Sequence, residues 1–565
     1  MTIFCHVNMN KLGTVKQCWL NTWMLIVLHA FSISSQNPLR ISGVLENNIN
    51  QFIRDSLIGA EGIPQYENND LGGELWFDLN ASYKGIRAGI RLDAFRNSNL
   101  LNPNDSYTEA GLGRFYISGD IGKLSLYTGY IYDQIGSGII FRSYQERPLL
   151  IDNALVGGMA RYTINDRFSI TGYYGGQKQL FGLYPNLIRG FSADGYFEIG
   201  KEEKITMAPG IGYINRLLSD SNMDGIVDVL RTYLEEDRVT PRFNVYMGTL
   251  YNTLTYKAIT WYVEGAVKSP DLFFDPNAIR TEITGRKAFG KYVRKPGTVF
   301  YTSLSMGLKN LGITMEGKRT RNFNVRIDPL QRQNFGLLSF IPPMNQQSTY
   351  RLLSRYNPAT QEISEMAWQL DIQHKFSNAF RWSFNLSDIY TLENKPLFKE
   401  FYFSMQYNKG RKWQWIQGIQ ILEYNQEIYE VKPGVPMLRA YVPFADFLYR
   451  FKSNLALRSE LQYMHTRQDY GSWLFFLQEW TLAPHWQFEL SGMYNIQPAT
   501  ASPTDPVTGE KLKILYPNIG TTFSHGAKRI SLRYVKQVEG VVCTGGICRL
   551  EPAFSGIRMN TYVQF

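Results

Sequence analysis

Two runs of alternating apolar and polar residues occupy 71–95 and are separated by Lys84 and Gly85. In the first run Leu75 and Phe77 alternate with charged or polar neighbours, and the second run repeats the pattern. A period of two predicts two β-strands, and the glycine between them predicts a tight hairpin turn. Each run has about the ten residues that a tilted strand needs to cross a bilayer. The charged face fits either a soluble sheet or a transmembrane barrel with a wet lumen, so the hairpin alone leaves both open.

The remaining composition and spacing favour the barrel. Beyond the N-terminus no apolar run approaches the length of about 18 residues that a transmembrane helix needs. Aromatic residues make up 14% of the chain. The mean hydropathy is −0.26, as expected for a barrel in which half of each strand is polar. Short connections alternate with long ones. We therefore predict an all-β fold, a single large transmembrane antiparallel β-barrel of about 24 strands (roughly 22–26), with short periplasmic turns and long extracellular loops.

The N-terminus has the three parts of a secretory signal peptide. Lys11 and Lys16 supply the positive charge, an apolar stretch follows, and small serines end the segment. We assign 1–35 to the signal peptide, with Met9 as an alternative start. The remaining chain, 36–565, is then predicted to be the outer-membrane β-barrel.

The C-terminal part of the chain carries two further signals. Cys543 and Cys548 are the only cysteines after the leader, and their spacing in an exported chain predicts a local disulfide, with two free thiols as the alternative. The segment VVCTGGICRLEPAFSGIRM, from Val541 to Met559, resembles a family of uncharacterised outer-membrane β-barrel proteins of the Bacteroidetes type, and the terminal Phe565 resembles the assembly signal of such barrels. The resemblance implies a barrel in the bacterial outer membrane, and it implies no activity.

Charged residues on the polar strand faces are candidates for the lumen wall. A lumen of about 24 strands is too wide for wall side chains alone to fill, so it is either an aqueous path or filled by loops or a partner. Charges on its wall would set solute selectivity, and their mixed signs argue against strong ion selectivity. The predicted lumen-lining residues are Glu74, Asp78, Arg87, Arg91, Asp93, Glu264, Lys268, Arg458 and Glu460.

Two long connections are candidates for narrowing that lumen. The first, 134–153, is unusually apolar for a surface loop, which predicts a constriction loop that folds inward, with packing at the rim as the alternative. The second, 324–365, is a candidate plug or partner surface, although a solvated loop is the favoured interpretation. The charges of the first loop that would face the pathway are Arg142, Glu146, Arg147 and Asp152.

One stretch matches the first part of a calcium-binding loop. Oxygen ligands recur at alternate positions and a glycine occupies the sixth, but the twelfth position is Arg231 rather than a glutamate. A structural calcium ion is one hypothesis, and an acidic solvated loop is the slightly favoured alternative. We expect no other cofactor. The candidate metal ligands are Asp220, Asn222, Asp224, Ile226 and Asp228.

Catalysis and nucleic-acid binding have little support in the sequence. Of the four histidines that follow the leader, only His465 is placed near the outer surface, with Ser459 and Asp469 in its vicinity. There is no glycine-rich phosphate loop and no Cys/His metal cluster. The net charge of +10 is scattered rather than clustered, which argues against a nucleic-acid surface. We therefore predict that the protein is not an enzyme and binds no nucleic acid.

The favoured function is that of an outer-membrane channel, or a loop-plugged pore, for polar solutes. The expected partners are the lipid bilayer, the barrel-assembly machinery and proteins that bind the outer loops. The first alternative is a structural or assembly component of a surface secretion or export machine. The second and least favoured alternative is a membrane-embedded lipid enzyme.

Overall fold

The backbone of this computed structural model forms one closed antiparallel sheet. The structure describes residues 39–200, 204–332, 335–544 and 547–565, and the predicted signal peptide lies outside them. The strands of these ranges are β1 (Arg40–Phe52), β2 (Leu71–Tyr83), β3 (Ile86–Ser98), β4 (Tyr107–Ile121), β5 (Leu124–Ile131), β6 (Gln145–Glu146), β7 (Ile151–Asp152), β8 (Leu155–Asn165), β9 (Phe168–Gln179), β10 (Gly182–Gly195), β11 (Phe197–Ile199), β12 (Ile205–Leu217), β13 (Asn244–Tyr256), β14 (Ile259–Thr281), β15 (Lys287–Gly307), β16 (Leu311–Arg321), β17 (Ser364–Lys375), β18 (Phe380–Tyr390), β19 (Pro396–Lys409), β20 (Trp413–Tyr424), β21 (Leu438–Lys452), β22 (Leu455–Met464), β23 (Ser472–Leu482), β24 (Trp486–Gln497), β25 (Leu515–His525), β26 (Lys528–Gln537), β27 (Gly540–Thr544), β28 (Ile547–Glu551) and β29 (Phe554–Gln564). The helical segments are Pro64–Glu67, Asp220–Arg231 and Gln426–Tyr429, with 3-10 turns at Ser56–Ile58, Arg147–Leu149 and Glu235–Asp237.

Pairing between the first and last barrel strands closes the sheet. β1 pairs with β29 from Val44 opposite Gln564 to Phe52 opposite Gly556. β10 and β11 both pair with β12 and are separated by a single residue, so they form one interrupted strand and the barrel has 24 strands. β6 with β7 and β27 with β28 form separate hairpins in the loops. The predicted all-β barrel is confirmed, and its closure gives the backbone of every wall strand a neighbour on both sides.

The two faces of the wall differ as the alternation predicts. On β15, Phe300 and Leu304 are 50% and 41% exposed on the outside. Between them, Tyr301 is buried inside and donates a hydrogen bond to Glu316 on β16. Large apolar side chains are exposed in this way all around the barrel, and such a surface is stable only against lipid. Within the described ranges, no helix is long and apolar enough to cross a membrane.

Connections at the two ends of the barrel differ in length. At one end, Lys84 and Gly85 join β2 to β3 with φ values of 45° and 84°, which match a hairpin turn that follows the twist of the strands. At the other end the loops are long. β14 and β15 have 23 and 21 residues, and their far ends continue past the wall as a hairpin. The helix Asp220–Arg231 packs its apolar face, including Ile226, on Tyr292 of this hairpin.

Two long connections at the outer rim fold into the lumen. We call them the plug: a first segment, 132–154, and a second segment, 322–363, of which 322–332 and 335–363 are described. Their apolar side chains, among them Ile139, Phe323 and Leu353, are fully buried against each other and the inner wall. The solvated-loop interpretation of the second connection is therefore wrong. The cause is the width of the barrel, which leaves a lumen that only additional chain can fill.

Backbone hydrogen bonds join the two plug segments into one body. The Arg142 N–H donates to the Leu338 carbonyl at 2.9 Å, and the Phe340 N–H donates to the Gly138 carbonyl at 3.0 Å. The Asn153 side-chain amide adds a bond of 3.0 Å to the Leu337 carbonyl. The segment 134–153 thus lies inside the lumen rather than at the rim, and it supports the second segment there.

Neighbouring outward and inward positions should respond differently to a new charge. We expect Leu304→Arg to destabilise the barrel by about 2 kcal/mol or more, because the guanidinium would face the lipid core. Ser305→Arg, which faces the lumen, should cost much less. Denaturant titration in lipid vesicles, followed by heat-modifiable gel migration, measures both. Equal losses of stability in the two variants would contradict the assignment of the faces.

Candidate functional site

A neutral cluster of four buried charges ties the first plug segment to the wall. Arg91 and Asp93 belong to β3, Lys178 belongs to β9, and Asp152 belongs to the plug. Arg91 Nη2 and Lys178 Nζ lie 2.7 and 2.6 Å from Asp152 Oδ2, and Arg91 Nε donates to Asp93 Oδ1 at 2.6 Å. Burial alone would raise the pKa of the Asp152 carboxyl, but Lys178 and Arg91 lower it below its ordinary value. Loss of one member would leave an uncompensated buried charge.

Glu264 on β14 binds a tight turn of the same plug segment. Its carboxylate accepts hydrogen bonds from the Ser137 N–H at 2.9 Å and the Ser137 hydroxyl at 2.5 Å. The hydroxyls of Thr249 and Tyr262 also donate to it, at 2.8 and 2.6 Å. Gly136 has a φ of +58°, and a Cβ there would lie 2.8 Å from the carboxylate. The turn therefore needs a glycine, and the wall carboxylate fixes where it sits.

Basic side chains of the wall bond the backbone of the second plug segment. Arg216, Lys268 and Lys318 donate to plug carbonyl oxygens at 2.8, 2.7 and 2.5 Å. Each is also paired with a buried carboxylate. Asp271 lies 2.8 Å from Arg216 and 3.7 Å from Lys268, and Glu365 lies 2.8 Å from Lys318. Irregular backbone inside a barrel needs such partners, because water does not reach it.

Further around the wall, carboxylate and amide side chains continue this attachment. Glu400 accepts a plug N–H at 2.9 Å, and Gln462 accepts another at 2.7 Å. Gln420 donates to a plug carbonyl at 3.3 Å. Tyr350 of the plug donates to the Asp446 carboxylate at 3.2 Å. These wall residues, like Lys178, are not singled out by the sequence; their inward position on regular strands was the one available signal.

The nine predicted lumen residues lie on the inward faces of their strands. Arg87 is exposed near the short turns, and Glu74 is buried and accepts a hydrogen bond of 2.5 Å from a serine. Asp78 is paired with Arg147 of the plug at 3.0 Å. Arg458 is paired with two neighbouring carboxylates at 2.9 and 2.5 Å. Most of the nine residues therefore bind the plug or one another, and they do not line an open aqueous path.

The predicted constriction residues attach the first plug segment in the same way. The Arg142 guanidinium lies 4.0 Å from the ring centroid of Phe340 in the second segment. Arg147 forms ion pairs with Glu46 as well as with the β2 carboxylate described above. Glu146 is half-buried in β6. Together with Asp152, these residues meet the wall and the neighbouring plug segment.

The candidate calcium segment is a helix rather than a loop. The helix Asp220–Arg231 begins after Ser219, whose hydroxyl accepts the Asn222 N–H at 3.2 Å. Residues of a helix turn by about 100° each, so Asn222 points away from the face shared by Asp220 and Asp224, and the candidate ligands do not converge on one ion. In the part of the chain that the structure describes, no group of three His, Cys, Asp or Glu residues could hold a metal. Apolar residues at helical spacing explain the helix, since they pack against the β14–β15 hairpin.

The two late cysteines are register partners in the outer loop. Cys543 on β27 lies directly opposite Cys548 on β28. Opposed residues of an antiparallel pair have the Cα separation that a disulfide requires. The side chain of Cys543 falls outside the described residues, so the bond between these two cysteines stays a prediction.

The plug leaves space below and above it. Toward the short turns, the inward-facing Arg87, Asp120, Arg161 and Gln373 are exposed, so this part of the lumen is a wet vestibule. Between the plug and the outer loops lies a cavity of about 1240 Å³, which we call the outer cavity. A smaller cavity of about 290 Å³ borders the four-charge cluster.

These features define a bacterial outer-membrane β-barrel whose lumen is filled by its own outer loops. The family model described as "Family of unknown function (DUF6029)" matches residues 15–565, so the chain belongs to that family. No curated protein matches the chain significantly.

Several solved outer-membrane structures are similar in fold. A mutant ferric enterobactin receptor from Pseudomonas aeruginosa, in complex with enterobactin, is 10% identical with a TM-score of 0.42, over 94% of this chain and 82% of that chain. OccAB4 from Acinetobacter baumannii is 9% identical with a TM-score of 0.32, over 71% and 96% of the two chains. The copper transporter OprC is 8% identical with a TM-score of 0.38, over 94% and 82%. At this level the similarity concerns the barrel and transfers no activity.

Removing one member of the four-charge cluster should loosen the plug. We expect Asp152→Ala to cost about 3–5 kcal/mol of local stability, because it leaves Lys178 buried without its main counter-ion and removes one of the two carboxylates paired with Arg91. Limited proteolysis of the purified barrel should then cut the first plug segment much faster.

The matched control is Glu427→Ala, which breaks an exposed ion pair of 2.8 Å with Lys395. Such exposed pairs contribute about 0–1 kcal/mol, so cleavage should stay at the wild-type rate. Unchanged plug cleavage in Asp152→Ala would show that the cluster does not hold the plug.

Proposed function

We propose that the protein is an outer-membrane pore for polar solutes, closed by its plug until the plug is displaced. The observation that carries this proposal is the placement of two loop segments inside a lumen whose wall side chains bond them. A wet vestibule lies below the plug and the outer cavity lies above it. Displacement of the plug would join these two spaces into one aqueous path.

The polar character of the plug–wall contacts supports a removable plug. Arg216, Lys318 and Gln420 bond plug carbonyls that water could bond instead. Exchange of such a bond for bonds to water changes the free energy by about 0.5–1.5 kcal/mol for the neutral Gln420 and about 1.5–3 kcal/mol for the charged donors. The wall that remains after displacement offers polar side chains such as Glu264 and Lys318 to water, beside apolar ones such as Val442 and Phe444.

Register across the two plug loops allows a direct test. Ile131 pairs directly with Leu155, and Arg321 pairs directly with Ser364. Both segments can therefore be replaced by an Asn-Gly hairpin turn without a change in strand pairing. In planar bilayers we expect the intact protein to be silent or weakly conducting. The doubly excised barrel should give large, stable open-channel currents.

Two variants complete this experiment. Replacement of the second segment alone should give intermediate currents, because the first segment still narrows the lumen. Excision of the hairpin tip 282–286, outside the barrel, should leave the conductance unchanged. An excised barrel that shows heat-modifiable migration yet never conducts would contradict the pore.

One observation favours a second candidate, a structural component of a surface export machine. The β14–β15 hairpin extends past the rim, and Ile283 and Phe289 near its tip are 87% and 78% exposed. Exposed apolar residues at the end of a rigid projection are typical of protein-binding surfaces. Two results together would favour this role: a captured partner whose binding depends on these two side chains, and an excised barrel that does not conduct.

We do not include catalysis in the proposal. His465 Nδ1 lies 3.3 Å from the Ser472 hydroxyl, but that serine is buried and donates to a backbone carbonyl. Ser459 donates instead to Gln478, and Asp469 accepts from Tyr356 and borders Arg355. The three groups are engaged separately, whereas a nucleophile and its base must share a hydrogen bond.

We also infer the export route from the sequence. Segment 1–35 would direct secretion, and the terminal Phe565, which is exposed on the lipid side beside Gly43, would be read by the barrel-assembly machinery. The resemblance of the late segment to barrels of the Bacteroidetes type supports the same compartment. Mass spectrometry of the exported protein should show cleavage near Ser35.

The predicted disulfide has its own test. Peptide mapping under non-reducing conditions should link Cys543 to Cys548, because the two positions face each other in an exported hairpin. Cys543→Ser should change the mass of that peptide and leave barrel folding intact, since the hairpin lies outside the wall. Free thiols on both residues would contradict the prediction.

A further inference from the structure

One cation in the outer cavity forms no direct ion pair with a described residue, although Glu551 attracts it at longer range. Arg351, on the plug, is exposed in this cavity, and its guanidinium forms no hydrogen bond or ion pair with any described residue. The other cations nearby are neutralised. Arg355 lies 3.6 Å from Asp469, and Lys432 lies 2.6 Å from Glu430 and 3.4 Å from Asp469. The cavity therefore presents one exposed guanidinium that is not in a direct ion pair.

The acidic groups of the cavity are already engaged. Arg549 binds Glu551 at 3.2 Å, and Tyr470 donates a hydrogen bond of 2.5 Å to Glu539. Desolvation inside the barrel and the neighbouring Arg355 guanidinium lower the pKa of Arg351 more than Glu551 raises it, so this guanidinium lacks a close negative charge. An incoming anion would supply that charge.

The rest of the lining suits the polar body of such a solute. Tyr356 and Tyr429 supply aromatic surface, and Gln347, Ser348 and Asn357 supply amide and hydroxyl groups. The volume of about 1240 Å³ exceeds what a single inorganic anion needs. The cavity thus has room for a solute of several functional groups, only one of which has to be the anion.

We propose that the outer cavity binds an anionic solute through Arg351, whose planar guanidinium takes a carboxylate or a phosphate group in a two-point hydrogen bond. This proposal rests on the proposed function, because it names the class of solute that the pore would admit. Arg351 belongs to the plug, so the bound anion would contact the element that closes the lumen.

Binding is measured on the purified intact protein in uncharged detergent, by calorimetric titration at constant ionic strength. The probes are citrate, inorganic phosphate and neutral glucose. We expect citrate, phosphate or both to bind and glucose to bind much more weakly. Binding of citrate alone identifies a carboxylate ligand, and binding of phosphate alone identifies a phosphate ligand.

Three variants assign the site. Arg351→Gln should weaken anion binding about tenfold or more, because a charged hydrogen bond is lost. Arg351→Lys keeps the charge without the two-point geometry and should fall between. Arg286→Gln, which removes an exposed arginine at the hairpin tip, should bind like the wild type. Heat-modifiable migration confirms that each variant is folded.

Two results would overturn the proposal: no anion binding by the wild type, or equal binding by Arg351→Gln. Neither result bears on the conductance of the excised barrel, which lacks Arg351 altogether. Conversely, if the intact protein binds an anion but the excised barrel never conducts, the anion site stands and the pore proposal fails.

Discussion

The width of a closed 24-strand barrel is the constraint on which the rest of this structure depends. Closure joins β1 to β29 and removes every strand edge, but it also fixes a lumen that inward side chains cannot span. The chain meets this constraint with the plug. Apolar plug residues such as Phe323 and Leu353 are buried away from water inside the barrel, whereas the apolar outer face of the wall contacts lipid. The protein thus has two apolar regions, the interior of the plug and the outer face of the barrel, and the wall lies between them.

The polar wall has to satisfy two conditions at once. It must pair the irregular backbone of the plug, and it must not leave single charges buried. Pairs of matched charge meet both conditions, as with Lys318 and Glu365, in which the lysine also bonds a plug carbonyl. A wall built in this way holds the plug in one position together with an apolar interface, in which Tyr350 of the plug contacts Phe444 of β21. It follows that changes in charge, rather than in packing alone, are the means of altering plug affinity.

The sequence predicts the wall well and the plug poorly. Alternation such as Phe300 outside and Tyr301 inside has a strict period, so face, strand number and closure follow from local residues. The plug has no period. The apolar character of 134–153 predicts an inward fold, but the second segment resembles a solvated loop until its position in the lumen is known. Lys178 is a similar case. The alternation predicts that its side chain faces the lumen, but it does not predict the ion pair with Asp152 of the plug. In the helix Asp220–Arg231, the closely spaced oxygen-bearing side chains suggested a calcium loop and obscured the helical spacing of the apolar residues.

The points at which the plug joins the wall decide how it can move. Its first segment leaves the barrel between Ile131 and Leu155, and its second between Arg321 and Ser364, all at the long-loop rim. Neither segment has a covalent connection at the short-turn end. A displacement that keeps the strands paired must therefore swing about the outer rim, and the shared backbone bonds make both segments move together. Because Arg351 lies in the second segment, negative charge bound in the outer cavity acts on the same rigid body that closes the pore. The ligand need only bind the displaced and seated positions with different affinity to shift the balance between them.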